Sequence, residues 1–288
     1  MNNFVIYTDS ACDIKPEILL EWGVKYSPLS FKFTSSEEEY TDSDMSASEF
    51  YRRMADGDIA KTSAVNPDTF CDGFLEILEN GDDILCISFS SGLSSTYNSA
   101  RIAADKLRPK FPERRIEVID SLAASAGLGL LVYLAKERQA LGADIDEVKT
   151  YIEGLIPRMG IWFTVDDLVY LQRGGRISKT AAFVGNMLGI KPILYMDDEG
   201  HLINKEKVRG RRTAVLTLAD RFGELAASKT DGTVFISHGD CRSEAKLLEK
   251  TLAERYGATV KLITDVGPVI GSHSGPGTLA IFFIANQR

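Results

Sequence analysis

Five polar stretches in the 288-residue chain carry side chains suited to chemistry. The first is Phe89–Ala100, FSSGLSSTYNSA, which holds Ser94 and Ser95 beside a glycine. The second is Lys61-Thr62-Ser63, and the third is the pair of strand-end motifs Thr8-Asp9-Ser10 and Asp120-Ser121. The fourth is Leu168–Ser178, LVYLQRGGRIS, in which Arg173 and Arg176 flank a double glycine. The fifth is Asp265–Gly277, DVGPVIGSHSGPG, with His273 among small residues. Hydroxyls and backbone N–H groups at a strand-to-helix turn suit an anion, phosphate or carboxylate, because the helix dipole adds its positive end there. The same serines equally serve as helix caps. Guanidinium groups are forked donors for carboxylate or phosphate, or ties between domains. A serine, a histidine and an aspartate also leave a hydrolase open on residue types, although no GxSxG elbow is present.

The elements around these residues predict an α/β fold. Phe4–Thr8, Val24–Phe33, Asp83–Ser88 and Arg115–Ile119 have strand character. They alternate with helical stretches at Pro16–Trp22, Ser46–Ala55, Pro67–Glu79, Tyr97–Leu107 and Leu122–Leu141. Such alternation is the pattern of a parallel sheet flanked by helices, whose carboxyl strand ends lie along one edge. Thr62 reaches that edge from a loop. Beyond a helix at Asp144–Arg158 and a strand at Gly160–Thr164, a hairpin is expected around Asp197–Gly200. Helices at Lys179–Leu188, Thr213–Ser228 and Ser243–Tyr256 follow, with strands at Thr233–Ser237, Thr259–Thr264 and Leu279–Ala285. The hairpin implies a mixed sheet. The expected organisation is therefore an N-terminal parallel-sheet domain over residues 1–160 and a C-terminal mixed-sheet α/β domain over 161–288.

Composition narrows the function. A net charge of −8 argues against nucleic acid, whose binding rests on basic patches. Cys12, Cys71, Cys86 and Cys241 show no CxxC spacing and read as reduced thiols of a cytoplasmic protein. No signal-peptide pattern and no bilayer-length apolar run is present. The three histidines, His201, His238 and His273, have no metal-type spacing, so no metal and no cofactor is expected. Gly127-Leu128-Gly129 lies within a helical stretch and is no dinucleotide fingerprint.

Read together and in order, TDS at 8–10, KTS at 61–63, FSSGLSSTYNSA, DS at 120–121, YLQRGGRIS at 170–178, IKPIL at 190–194 and GPVIGSHSGPG at 267–277 resemble the DegV family of bacterial proteins. The family usually has glycine where Ser95 stands. The resemblance implies one long-chain fatty acid, such as palmitate, in a tunnel between two α/β domains. It further implies a non-catalytic, fatty-acid-binding subunit that presents the carboxylate to a separate ATP-dependent fatty acid kinase, for acyl phosphate and phospholipid metabolism, with transient membrane contact. On that reading Thr62 and Ser94 hold the carboxylate, while Ser95, Arg173 and His273 stand near the head group or at the kinase contact. Burying about fourteen methylenes at ~0.8 kcal/mol each gives roughly 11 kcal/mol before association costs. Two other readings are a hydrolase or acyltransferase using Ser94, and a regulator that senses acyl chains.

Overall fold

The computed structural model describes residues 3–178 and 189–288. The helix expected at Lys179–Leu188 lies outside the described residues. Strands β1 (Phe4–Asp9), β2 (Lys25–Ser27), β6 (Asp83–Ser88) and β7 (Ile116–Asp120) form a parallel sheet in the order β2-β1-β6-β7. Every residue of β6 is buried, as befits a parallel strand covered on both faces.

A second sheet has the order β10-β9-β8-β13-β11-β12. Its strands are β8 (Met159–Thr164), β9 (Ile190–Met196), β10 (Leu202–Arg209), β11 (Val234–His238), β12 (Val260–Asp265) and β13 (Leu279–Ile284). All its pairings are antiparallel except β11 with β12. The mixed sheet and its β9–β10 hairpin thus agree with expectation. Side chains alternate along β13 as a strand requires. Ala280 and Phe282 face the core shared with the parallel sheet. Leu279, Ile281 and Phe283 face a separate core under α8 (Arg211–Leu225) and α9 (Arg242–Tyr256).

Between the sheets runs α5 (Ala126–Ala140), which touches β1 and β6 on one side and β11 and β13 on the other. Its residues from Ala126 to Val132 are all buried, as expected for a helix that is apolar all round. Gly127 and Gly129 let the layers approach. A Cβ on Gly127 would stand 2.8 Å from Phe282, and one on Gly129 would stand 2.6 Å from Ile14.

The structure differs from expectation in four places. The single strand expected at Val24–Phe33 is two, β2 and β3 (Ser30–Phe33), split at Pro28, which has no N–H for a ladder. β3 leaves the parallel sheet and pairs with β4 (Glu39–Thr41) and β5 (Ala60–Ser63) in a small antiparallel sheet. Thr62 therefore sits on a strand, opposite Phe31, and not in a loop. Helix α2 (Ala47–Ala55) packs on this sheet through Phe50, Tyr51 and Met54. Residues 121–125 are irregular, with positive φ at Leu122 and Ser125, so the long helix starts at Ala126. Finally, Pro268–Ser274 is a helix, α10, in place of the expected open loop. Pro268 stands in its first turn, and Gly275 at φ +78° ends it.

Candidate functional site

A cavity of about 300 Å³ lies between the two large sheets. That is the lower end of the range for small-molecule sites. Phe89 and Leu93 line it from the parallel-sheet side. Ile161, Phe163, Met196 and Phe282 line it from the mixed sheet. Val269 and Ile270 of α10 complete the apolar wall. Its polar lining is Thr62, Ser94, Ser95, Arg176 and His273, which the contacts below gather into one polar end, together with Ser125, Ser237, Ser274 and Thr278.

The turn before α4 (Thr96–Leu107) is held by the three strand ends that the sequence singles out. Asp9 Oδ2 accepts from Ser88 Oγ and from the Phe89 N–H, each at 2.8 Å. Asp120 Oδ1 accepts from the N–H groups of Ser91 and Leu122. Thr8 Oγ1 donates to the Ile87 carbonyl. These residues converge, but on one another: they shape the turn, and Ser94 and Ser95 face the cavity. The capping alternative is also visible. Ser94 Oγ accepts from the Thr96 N–H at 3.2 Å and is hydrogen-bonded to Thr96 Oγ1 at 2.9 Å. Ser95 makes no side-chain cap bond and is exposed.

His273, on α10, shares a 2.8 Å hydrogen bond between its Nε2 and Thr62 Oγ1. Its Nδ1 is buried without a hydrogen-bond partner among the described residues. Gly174 passes directly over the ring, where a Cβ would stand 2.1 Å from Nδ1. The double-glycine motif and the SHSG motif, about a hundred residues apart, are therefore fitted to each other. Arg176 donates from Nε (3.1 Å) and Nη2 (2.9 Å) to the Leu93 carbonyl, and from Nη1 to the Gly174 carbonyl. It ties the double-glycine turn to the serine turn. Burial, with the Arg176 charge adding to it, pushes the His273 imidazole down to about 4, so it is neutral near pH 7.

Arg173 ends α7 (Val169–Arg173), is exposed, and lies over the Tyr170 ring at 5.6 Å. It is not among the residues that line the cavity. Gly175, at φ +71°, lies between the two arginines, and Arg176 is the one that lines the cavity. Ser125 and Ser237 also line the cavity and were not singled out from the sequence. Ser125 Oγ lies 2.9 Å from Ser237 Oγ and donates to Asp13 Oδ2. The one signal for Ser237 is its hydroxyl within the apolar strand run of β11.

No hydrogen bond joins Ser94 to His273, and no carboxylate orients the imidazole, among the described residues. A Ser–His–Asp relay requires both. The arrangement instead offers neutral hydroxyls, a neutral imidazole and one guanidinium around a shared space. Such a set has the donors that an anion with an apolar remainder would need. Nor do three His, Cys, Asp or Glu side chains converge on a metal position among the described residues.

Fold and site together define an α/β protein with two large sheets and an apolar cavity closed by a polar end. The sequence pattern of the DegV family, described as an uncharacterised protein family, matches residues 3–286. The chain belongs to the DegV family. It is 39% identical to a DegV domain-containing protein of Clostridium perfringens, over 100% of this chain and 99% of that protein. Among solved structures, it is similar to a fatty-acid-binding DegV family protein of Thermus thermophilus, with 28% identity, a TM-score of 0.86, and 99% and 100% of the chains covered. It is also similar to a stearic-acid-binding protein of Eubacterium ventriosum, with 27% identity, a TM-score of 0.88, and 98% of each chain covered.

Proposed function

We propose that this protein binds one long-chain fatty acid in the cavity between its sheets, and that the polar end holds the carboxylate. The observation that carries this reading is the pairing of an apolar cavity with Thr62, Ser94, Arg176 and His273 at one end of it. The fatty acids bound by its structural neighbours support it. A carboxylate carried into an apolar site is costly unless it is hydrogen-bonded. Ser94 and Thr62 supply hydroxyls, and Arg176 keeps two of its five N–H groups without an acceptor among the described residues. Bonds from these donors to a carboxylate are charge-assisted.

In this reading the chain is a non-catalytic, cytoplasmic carrier. Two domains meet near residue 160, and the acid is presented to a separate ATP-dependent kinase subunit for acyl-phosphate formation and phospholipid metabolism. Exposed Arg173 and Ser95 belong to the surface such a kinase would approach.

Mass spectrometry of the purified protein, native and then denatured, tests the proposal. A non-covalent adduct with the mass of a fatty acid, lost on denaturation, is the expected result. A clean mass that stays unchanged after incubation with palmitate would overturn it.

A further inference from the structure

The cavity between the sheets carries a second polar feature, apart from the end assigned to the carboxylate. Val266, Val269, Ile270, His273 and Ser274 all line it. Their spacing is that of one helix face, so the cavity runs along α10. His273 and its partner Thr62 stand towards the carboxyl end of that helix. At the amino end the Gly267 N–H donates to Asp13 Oδ1 at 3.0 Å, and Asp13 Oδ2 accepts from Ser125 Oγ. Ser125 Oγ in turn lies 2.9 Å from Ser237 Oγ, and both serines line the cavity. Gly267 and His273 are six residues apart, roughly 9 Å of helix at ~1.5 Å per residue. No hydrogen bond joins the serine pair to Thr62, Ser94, Arg176 or His273 among the described residues. The pair is a separate polar point along the cavity.

Its setting is apolar: Ser237 stands opposite Ala280 of β13, with Val266, Val269 and Phe282 in the same lining. Other hydroxyls of this wall donate to nearby carbonyls, Ser274 to Ile270 and Thr278 to Gly275. Ser125 and Ser237 bond to each other and to Asp13 instead. A hydroxyl has one proton to donate. Ser125 gives its proton to Asp13, so the bond between the serines uses the proton of Ser237. Ser237 Oγ then meets the cavity as an acceptor. A proton on Asp13, whose pKa burial raises, would reverse the relay and turn Ser237 into a donor. A carboxylate suits only the reversed state, because it has no proton to give, whereas a hydroxyl suits both. Ser125 also holds its place at a backbone cost, since its φ of +54° is one that glycine takes freely and serine does not.

We propose that Ser125 and Ser237 form a subsite for a hydroxyl group partway along the acyl chain, so that the cavity prefers hydroxylated fatty acids. The inference rests on the fatty-acid reading above. Native mass spectrometry of the full chain, offered stearate against 10-hydroxystearate and, separately, against 2-hydroxystearate, reads the occupancy ratios. The 10-hydroxy acid should be favoured at least about fivefold, as one net hydrogen bond gives. The 2-hydroxy acid keeps its hydroxyl beside the carboxylate and should show no such preference. In Ser237→Ala the 10-hydroxy ratio should fall to one or below, because the hydroxyl then enters an apolar wall without that partner. A wild-type ratio of one, an equal preference for the 2-hydroxy acid, or a preference undiminished in Ser237→Ala would overturn the subsite while leaving stearate binding intact. Capture of none of the three acids would overturn the fatty-acid reading itself, and the subsite with it.

Discussion

Replacing His273 by glutamine should change how stability depends on pH in a window set by the imidazole. The ring's folded pKa is about 4, because burial and the Arg176 charge disfavour the cation. In the unfolded chain it returns to about 6.5. Between these values the unfolded state binds the extra proton, so His273 lowers stability as pH falls from 6.5 to about 4. The span of about 2.5 units corresponds to roughly 3 kcal/mol. Asp9 and Asp42 act in the opposite direction over nearly the same window. Burial raises each to about 6, so each contributes stability below pH 4 that is lost as pH rises through 6. The wild-type curve therefore mixes opposing slopes, and the difference between wild type and His273→Gln isolates the histidine. Urea unfolding at intervals from about pH 4 to about pH 7 measures it. Relative to the variant, wild type should lose roughly 3 kcal/mol on acidification. Parallel curves, or an imidazole NMR titration centred near pH 6.5, would refute the reasoning. A bound carboxylate should raise the imidazole pKa and shrink the difference.

Four further outcomes are expected. Gly174→Ala puts a methyl 2.1 Å from His273 Nδ1 and should cost ~1–3 kcal/mol in denaturant unfolding. Gly175→Ala meets no atom of the described residues within 4 Å, and its φ of +71° should cost only about 1–2 kcal/mol while leaving the His273 ring in place by NMR. Thr62→Ala and Ser94→Ala should each weaken retention of a fatty acid by roughly ten- to a hundredfold, since a charge-assisted bond is worth ~1.5–3 kcal/mol; unchanged retention in both would remove these hydroxyls from the carboxylate site. Alkylation of the native protein should reach Cys71 first, because Cys12, Cys86 and Cys241 are buried and their thiols are pushed up by desolvation; peptide mapping reads this directly.

What could be read from the sequence followed how much each residue type constrains its surroundings. The turn at Phe89–Ala100 is legible because hydroxyls and a glycine after an apolar strand admit few arrangements. The alternation of strands and helices announces the parallel sheet. The small sheet is hidden, because β4 has three residues and β5 four, too few for a periodicity to show. The helix at Pro268–Ser274 is hidden by its glycines and serines, which favour turns by propensity. Tertiary packing against α2 and α7 overrides that preference. Arg173 and Arg176 have the same side-chain chemistry, so residue type alone does not say which of them lines the cavity. Asp9 and Asp120 carry the right chemistry for a site, yet both oxygens of Asp9 and Oδ1 of Asp120 are taken up by the neighbouring turns.

The polar end of the cavity rests on a division of labour between charge and hydrogen bonding. Arg176 carries the positive charge, and most of its donors are already fixed on two backbone carbonyls, so its position is set before any ligand arrives. His273 is held neutral chiefly by burial, with that same charge adding to it, and it spends its Nε2 on Thr62. An anion at this end would meet preorganised dipoles and one guanidinium in place of two flexible cations. Preorganised groups need little reordering on binding, which keeps the entropic cost of association low. It also follows that Thr62, His273 and Gly174 act as a unit. Removing the Thr62 hydroxyl leaves both imidazole nitrogens unpaired, so the effects of Thr62→Ala and His273→Gln on stability should fall short of additive, in a double-mutant cycle, by about 1 kcal/mol or more. Strict additivity would mean that the 2.8 Å contact between them carries no energy.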